Sequence, residues 1–477
     1  MGIDYEWVGG NDVANSFATS VGAKALTLKQ TIIIASICEF SGAMVLGSHV
    51  TETIKGKIIV GELFMNQPLV LMYGMCTVLF GCAVWLIVST LWSLPVSSTH
   101  TCIGGMLGMA IVSKGVKAVN WRTVINVICS WFYTPVIAGL ISYTLFWIIR
   151  STILMKEKSF AYSLNFFAPM VAFTLLINFF VVLNKGCPWL PFDFTPLQAL
   201  GVSAALSVFF GIIIHFTCKP CLKRKSLRAE EELKAPLLAG EVQQPVEQQQ
   251  PTEQVVTVEQ QQPTTESVVE VPVQAVEEKK EGINVFSALE KDSKVAEIHE
   301  KAERYDVKTE KIFISLQVLA AILNSFAHGA NDVSHSIGPF AAVMAIYMSG
   351  SVMDTSPTPA WILAFGAVGI VLGLATMGYR VMATVGVNLV TVTPCRGFFI
   401  ELAASYVVIV ASGLGLPIST TQCKIGAAVG VGLVGGSEAV NWKLFAKIFG
   451  GWVITIFIAA ILSAILMVIG LQILHQS

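Results

Sequence analysis

Val124-Ile-Asn-Val-Ile-Cys-Ser-Trp-Phe-Tyr-Thr-Pro-Val-Ile-Ala-Gly-Leu-Ile-Ser-Tyr-Thr-Leu-Phe-Trp-Ile-Ile149 contains no Asp, Glu, Lys or Arg. A helix in a soluble protein needs one polar face, and this stretch has none. It is longer than the ~20 apolar residues that cross the hydrocarbon layer of a bilayer as a helix. The rest of the chain repeats the pattern. Of 477 residues, 54% are hydrophobic and 13% charged, against roughly a quarter charged in a soluble domain. More than half of the charged residues lie between Lys219 and Lys311, which leaves the remainder nearly bare. The expected spans are Thr31–Val50, Leu69–Leu91, Val124–Ile149, Tyr162–Leu183, Leu197–Thr217, Ile312–Phe326, Trp361–Tyr379, Phe398–Gly413 and Leu444–Leu471. Pro95–Val112 and Pro417–Val434 are apolar but Gly-rich, and each opens on Pro and a Ser/Thr triplet. They read as short or re-entrant helices. The fold class is an all-α polytopic membrane protein, with the lipid bilayer as its solvent.

The charged middle divides the chain. Residues 1–218 form a first membrane half, 219–310 a largely disordered loop, and 311–477 a second half. Glu241 to Val276 is a Gln/Glu/Pro/Val/Thr tract with too little apolar surface to order itself. Lys219, Lys223, Arg224, Lys225 and Arg228 follow directly on a span, which places the loop in the cytoplasm, with the plasma membrane as the expected location. A net charge of −1 and the lack of a basic stripe offer nothing to nucleic acid. The cysteines lie mostly in apolar runs and behave as small hydrophobes. Cys218-Lys-Pro-Cys221 sits where a span ends; reversible acylation suits that place better than metal or redox chemistry, and no role at all is favoured over either. No HExxH or paired CxxC supports a metal other than a transported ion, and no cofactor is expected.

The halves are related. Gly9-Gly-Asn-Asp-Val-Ala-Asn-Ser16 returns as Gly329-Ala-Asn-Asp-Val-Ser-His-Ser336, Leu94-Pro-Val-Ser-Ser-Thr-His100 as Leu416-Pro-Ile-Ser-Thr-Thr-Gln422, and Val119-Asn-Trp121 as Val440-Asn-Trp442. The offsets are 320, 322 and 321 residues. Three motifs in one order at nearly one offset mark a duplication, the plan by which many secondary transporters place a site between two inverted repeats.

Asn11, Asp12, Asn331 and Asp332 offer hard oxygen ligands suited to Na⁺ inside apolar surroundings, where an Asp otherwise costs much. Flanking glycines are expected to let the backbone unwind there and add carbonyls. Capping of a helix is the plain alternative for each pair. Ser97, Ser98, Thr99, Ser419, Thr420 and Thr421 begin helices after a Pro, where unpaired N–H groups and the helix dipole favour an anion. Hydroxyls there can donate to a tetrahedral oxyanion. Glu39 and Glu401 lie within spans; each reads equally as a transport residue or as half of a salt bridge to Arg396, Arg380 or Lys424. His100, His328 and His335 flank the motifs, and lone histidines more often satisfy local hydrogen bonds.

Together, Gly-Gly-Asn-Asp-Val-Ala-Asn-Ser, Gly-Ala-Asn-Asp-Val, Leu-Pro-Val-Ser-Ser-Thr-His and Arg396-Gly-Phe-Phe-Ile-Glu401 resemble the signatures of the inorganic phosphate transporter family. The resemblance covers nearly everything outside the loop. It implies inverted repeats, sodium-driven phosphate uptake, a homodimer, and roles in transport for Glu39 and Glu401. Gly10 stands where the family has Ala, and Ser334-His335 where it has Ala-Asn. A span, Ile312–Phe326, precedes the second motif. Met1 to Val8, ahead of the first, would make only ~12 Å of helix, so a first span is expected to be missing through a mis-assigned start. The rival readings are carriage of another tetrahedral oxyanion such as sulfate, and a phosphate sensor or receptor that does not transport. An intramembrane enzyme is disfavoured, since no nucleophile–base pair presents itself.

Overall fold

The computed structural model describes residues 11–12, 14–185, 193–241, 293–352, 356–378 and 386–474. The first half contains α1 (Ala14–Gly22), α2 (Leu28–Lys57), α3 (Pro68–Leu91), α4 (Ser98–Lys114), α5 (Trp121–Ile149), α6 (Ser159–Lys185) and α7 (Pro196–Glu241). After α8 (Ser293–Glu300), the second half contains α9 (Val307–Ser349), α10 (Ala360–Met377), α11 (Pro394–Gly413), α12 (Thr420–Val434) and α13 (Trp442–Leu474). Nine helices among the described residues are long and apolar enough to cross a membrane. Large apolar side chains such as Ile33, Phe80, Phe132, Phe216 and Phe457 point outward from them, as lipid-facing surfaces require. α7 runs unbroken through the basic cluster at Lys219–Arg228, and Cys218 and Cys221 are free thiols on it. Residues 242–276 of the low-complexity tract and Arg380 lie outside the described residues.

The short helices α4 and α12 sit where the two Pro-Ser/Thr segments fall in the sequence. Ser97 caps α4 by accepting from the His100 N–H at 3.3 Å, and Ser419 caps α12 by accepting from the Gln422 N–H at 3.2 Å. Each packs against the other half. Gly104 and Gly108 of α4 lie on the backbone of Ile456 and Ala460 in α13, while Gly426 and Gly430 of α12 lie on Pro135 and Gly139 in α5. A side chain at any of these four glycines would collide with that backbone, so the helices touch at the closest approach their chains allow. The pairing is reciprocal at the duplication offset. The same holds for the connections. Ile59 bridges Val119 as Val390 bridges Val440, and the indole N–H groups of Trp121 and Trp442 donate to the carbonyls of Val116 and Ser437.

α9 and α11 form the centre. α11 is buried along almost its whole length, and α9 is buried from Ala327 through Val343. Against expectation, α9 does not unwind at its motif: Gly329 to Ser336 are helical throughout. Their carbonyls therefore stay within the helix ladder, save that of His335, whose partner four residues on is Pro339 and has no N–H to give. Gly329 has another task, because its missing side chain lets α9 rest on the backbone of Glu39 in α2.

Candidate functional site

The two Asn-Asp pairs and the two triplets meet in one buried polar centre. Asn11 donates through Nδ2 to Thr90 Oγ1 and to the Leu94 carbonyl, both at 3.1 Å. Asn331 does the same with Ser412 Oγ at 3.2 Å and the Leu416 carbonyl at 3.3 Å. Each amide thus ties its motif to the segment leading into the short helix of its own half. Asp12 accepts the Ser98 N–H at 3.2 Å on Oδ2 and the Thr421 hydroxyl at 2.9 Å on Oδ1, which joins both triplets to one carboxylate. Asp332 Oδ2 accepts the Thr420 hydroxyl at 2.6 Å. Across the centre, Thr99 donates to the Ile418 carbonyl at 2.7 Å, and Thr421 faces the Val96 carbonyl at 3.4 Å.

All ten of these sequence-nominated positions are buried, and two oxygens among them have no hydrogen-bond partner: Asn331 Oδ1 and Asp332 Oδ1. Buried acceptors are rarely left so. Both are hard oxygen donors. Asn11 Oδ1, by contrast, accepts the Val96 N–H at 3.1 Å. The hydroxyl oxygens of Ser97 and Ser419 are used as helix caps.

Glu39 and Glu401 have different partners. Glu39 accepts from Ser325 Oγ and pairs with His328 Nδ1, both at 2.8 Å. The other ring nitrogen of His328 lies 2.9 Å from Asp332 Oδ2, in charge contact but without hydrogen-bond alignment. Glu401 binds the Lys424 ammonium and the Thr19 hydroxyl on Oε1, and accepts from Asn324 at 2.9 Å on Oε2. Among the described residues, Lys424 and not Arg396 is the cation that Glu401 pairs with. Arg396 turns away, donating to the Glu303 carbonyl at 2.8 Å and lying over the Tyr305 ring.

The histidines carry more than local bonds. His335, where the family pattern has Asn, sits 3.3 to 3.4 Å from the hydroxyls of Ser98 and Thr99. His328 links Glu39 to Asp332. The signal was present in the helical spacing of Ser325, His328 and Asp332, which puts all three on one face of α9. His100 does not fit the local-hydrogen-bond reading: its ring packs on Trp131 with centroids 3.9 Å apart, and neither ring nitrogen has a hydrogen-bond partner.

A bundle of membrane-spanning helices closing two interlocked halves around a buried polar centre is the architecture of a secondary transporter. Residues 8–463 match the phosphate transporter family, and the chain belongs to that family. It is 31% identical to sodium-dependent phosphate transporter 1-A of Danio rerio, over 96% of this chain and 91% of that one. It is 33% identical to a putative phosphate permease of Pyrococcus abyssi, over 98% and 95%. A solved structure titled "The sodium-dependent phosphate transporter" superposes with a TM-score of 0.74 at 30% identity, covering 99% of this chain and 97% of that chain. The polar centre therefore belongs to a carrier and not to an enzyme.

Proposed function

We propose that this protein carries inorganic phosphate across the membrane in symport with sodium. Phosphate is held between the triplets, by the hydroxyls of Ser98, Thr99, Thr420 and Thr421 and by the N-termini of α4 and α12. Ser97 and Ser419 fix those helix ends as caps. Sodium is held by Asn11, Asp12, Asn331 and Asp332. The observation that carries this reading is Asp12, whose one carboxylate receives a donor from each triplet. Charge then explains coupling. Asp12, Asp332, Glu39 and Glu401 surround the centre, and Lys424 is the one lysine among them. A phosphate anion meets repulsion until cations neutralise the acids. Removing a cation leaves buried charge uncompensated, which is strongly unfavourable. Glu39 and Glu401 transmit occupancy to α2, α9, α11 and α12, and the two inverted repeats rock about the site.

The wider assignment follows the same reading: residues 1–218 and 311–477 as membrane halves, 219–310 as a cytoplasmic loop, the plasma membrane as location and a homodimer as assembly. The test is uptake of radiolabelled phosphate into proteoliposomes under an imposed sodium gradient, with sulfate as competitor. Uptake that needs sodium and ignores sulfate is expected. Binding without uptake, or sulfate competing equally, overturns the proposal.

A further inference from the structure

Every seventh residue along the first part of α9 is polar: Glu310, half-buried, then Gln317, Asn324 and Asn331, all buried. Seven residues are close to two turns, so the four line one stripe, with about 10 Å between successive members. The stripe faces α11. Glu310 Oε2 accepts the Cys395 N–H at 2.9 Å, Gln317 lies against Gly397, Asn324 donates to Glu401, and Asn331 donates to Ser412. Gly397 is what makes room: a side chain there would occupy the place of the Gln317 amide. The stripe begins beside a cavity of about 290 Å³ lined by Glu303, Tyr305 and Arg396 on the loop side of the molecule, and it ends at the polar centre.

Polar residues between membrane helices often act as glue, but glue consists of groups bonded to one another. This seam is not. Glu310 Oε1, both amide atoms of Gln317, Asn331 Oδ1, Arg396 Nη1 and Ser405 Oγ are all buried and without a partner. Gln317 is 0% exposed, and an amide so enclosed with neither end bonded is strongly unfavourable in a dry interior. Groups of this kind are satisfied in native proteins by water or ions. The oxygens among them (carboxylate, amide, hydroxyl) are those that solvate sodium. The seam's fixed charges balance, with Arg396 near Glu310 at one end and Lys424 on Glu401 at the other.

We propose that the seam between α9 and α11 is a hydrated path by which the co-transported cation moves between the loop-side cavity and Glu401. Gln317 is its midpoint, where an amide oxygen replaces part of the ion's water shell. The inference rests on the sodium-coupled reading above, and its test separates the two.

In proteoliposomes of the full chain, Gln317→Leu keeps the bulk and dries the seam. Sodium-driven phosphate uptake is expected to fall at least tenfold, while the thermal shift produced by phosphate on the purified protein stays as in the parent. Gln317→Asn, which keeps the amide, is expected to retain uptake within about threefold. Leu behaving as the parent, or Asn losing as much as Leu, overturns the path. Because the Leu variant can fail to fold, radiolytic hydroxyl-radical labelling of the unmodified protein gives a second reading. Cys395 and Phe398, beside the seam, should oxidise at least fivefold faster than Cys102 and Phe64, which are similarly buried elsewhere. Equal rates mean a dry seam and end the proposal. Failure of the parent to take up phosphate would instead sink the symport reading, whatever the labelling shows.

Discussion

The Thr99 hydroxyl of the first half donates to the Ile418 carbonyl of the second at 2.7 Å. Ile418 lies one residue before the capping Ser419 of α12, so a side chain at the start of one short helix holds the approach to the other. Thr421 faces Val96 in the mirrored relation, at 3.4 Å. The two helix starts thereby become a single cradle, with both dipole ends directed into it.

Replacing either threonine by Val keeps its shape and removes the hydroxyl. Each of Thr99→Val and Thr421→Val is expected to weaken phosphate affinity ten- to a hundredfold, from a lost charge-assisted bond of ~1.5–3 kcal/mol. The double variant need not be additive, since both groups touch one ligand. Binding and melting measured on the same samples separate this from capping. A lower melting temperature with unchanged affinity would remove the triplets from the anion site.

Asp12→Asn and Asp332→Asn keep size and remove charge. Both should abolish sodium-driven uptake while the protein stays folded in detergent. Asp332→Asn is expected to cost more stability, because Asp332 also faces His328 and His335 and accepts from Thr420. Sodium dependence unchanged in both would exclude them as ligands.

Most of this centre was legible in the sequence because its chemistry is duplicated: repeated Asn-Asp pairs and triplets, at one offset, need no structure to be seen. What broke the duplication was not legible. Positions 322 residues before Glu401 and Lys424 are Leu79 and Cys102, so their ion pair has no counterpart to announce it, and Arg396 competed as partner on sequence alone. The unwound backbone expected at the second motif failed for a related reason. Glycine permits unwinding, but Gly329 is needed for close packing on Glu39, and packing won. His335 was weighed as a local residue because its partners, Ser98 and Thr99, lie more than two hundred residues away.

At the end of α5, Arg150 grips Glu303 with two hydrogen bonds, at 2.7 and 3.0 Å, and Tyr305 adds a third at 2.8 Å. The bond from Arg150 holds the Glu303 carboxyl below its ordinary range. A depressed folded value means that the contribution is present above the unfolded pKa, about 4.3, and is lost as pH falls through the folded value. The site is partly open to solvent, so less than about 1 kcal/mol is at stake. Melting followed from about pH 6 down to about pH 3 should drop more for the parent than for Glu303→Gln. Parallel curves would show that the grip contributes nothing to folding.

Glu401 and Lys424 provide the sharpest energetic test, because both are fully enclosed and the fold supplies one partner for each charge. Glu401→Gln leaves a buried ammonium without a counter-charge, and Lys424→Met leaves a carboxylate so. Either single change should cost ~3–5 kcal/mol, mostly as the penalty of an uncompensated buried charge. The double variant removes both charges at once and should recover most of that loss, since Met and Gln fill similar space and Gln can still accept from Thr19 and donate or accept with Asn324. Uptake should stay lost in every variant that lacks the Glu401 carboxylate, including the recovered double. That pattern, stability restored without transport, distinguishes a carboxylate used in coupling from one that only balances Lys424. Melting of the four proteins with uptake on the same preparations decides it. A double variant that regains sodium-driven uptake together with its stability would reduce Glu401 to a structural counter-ion.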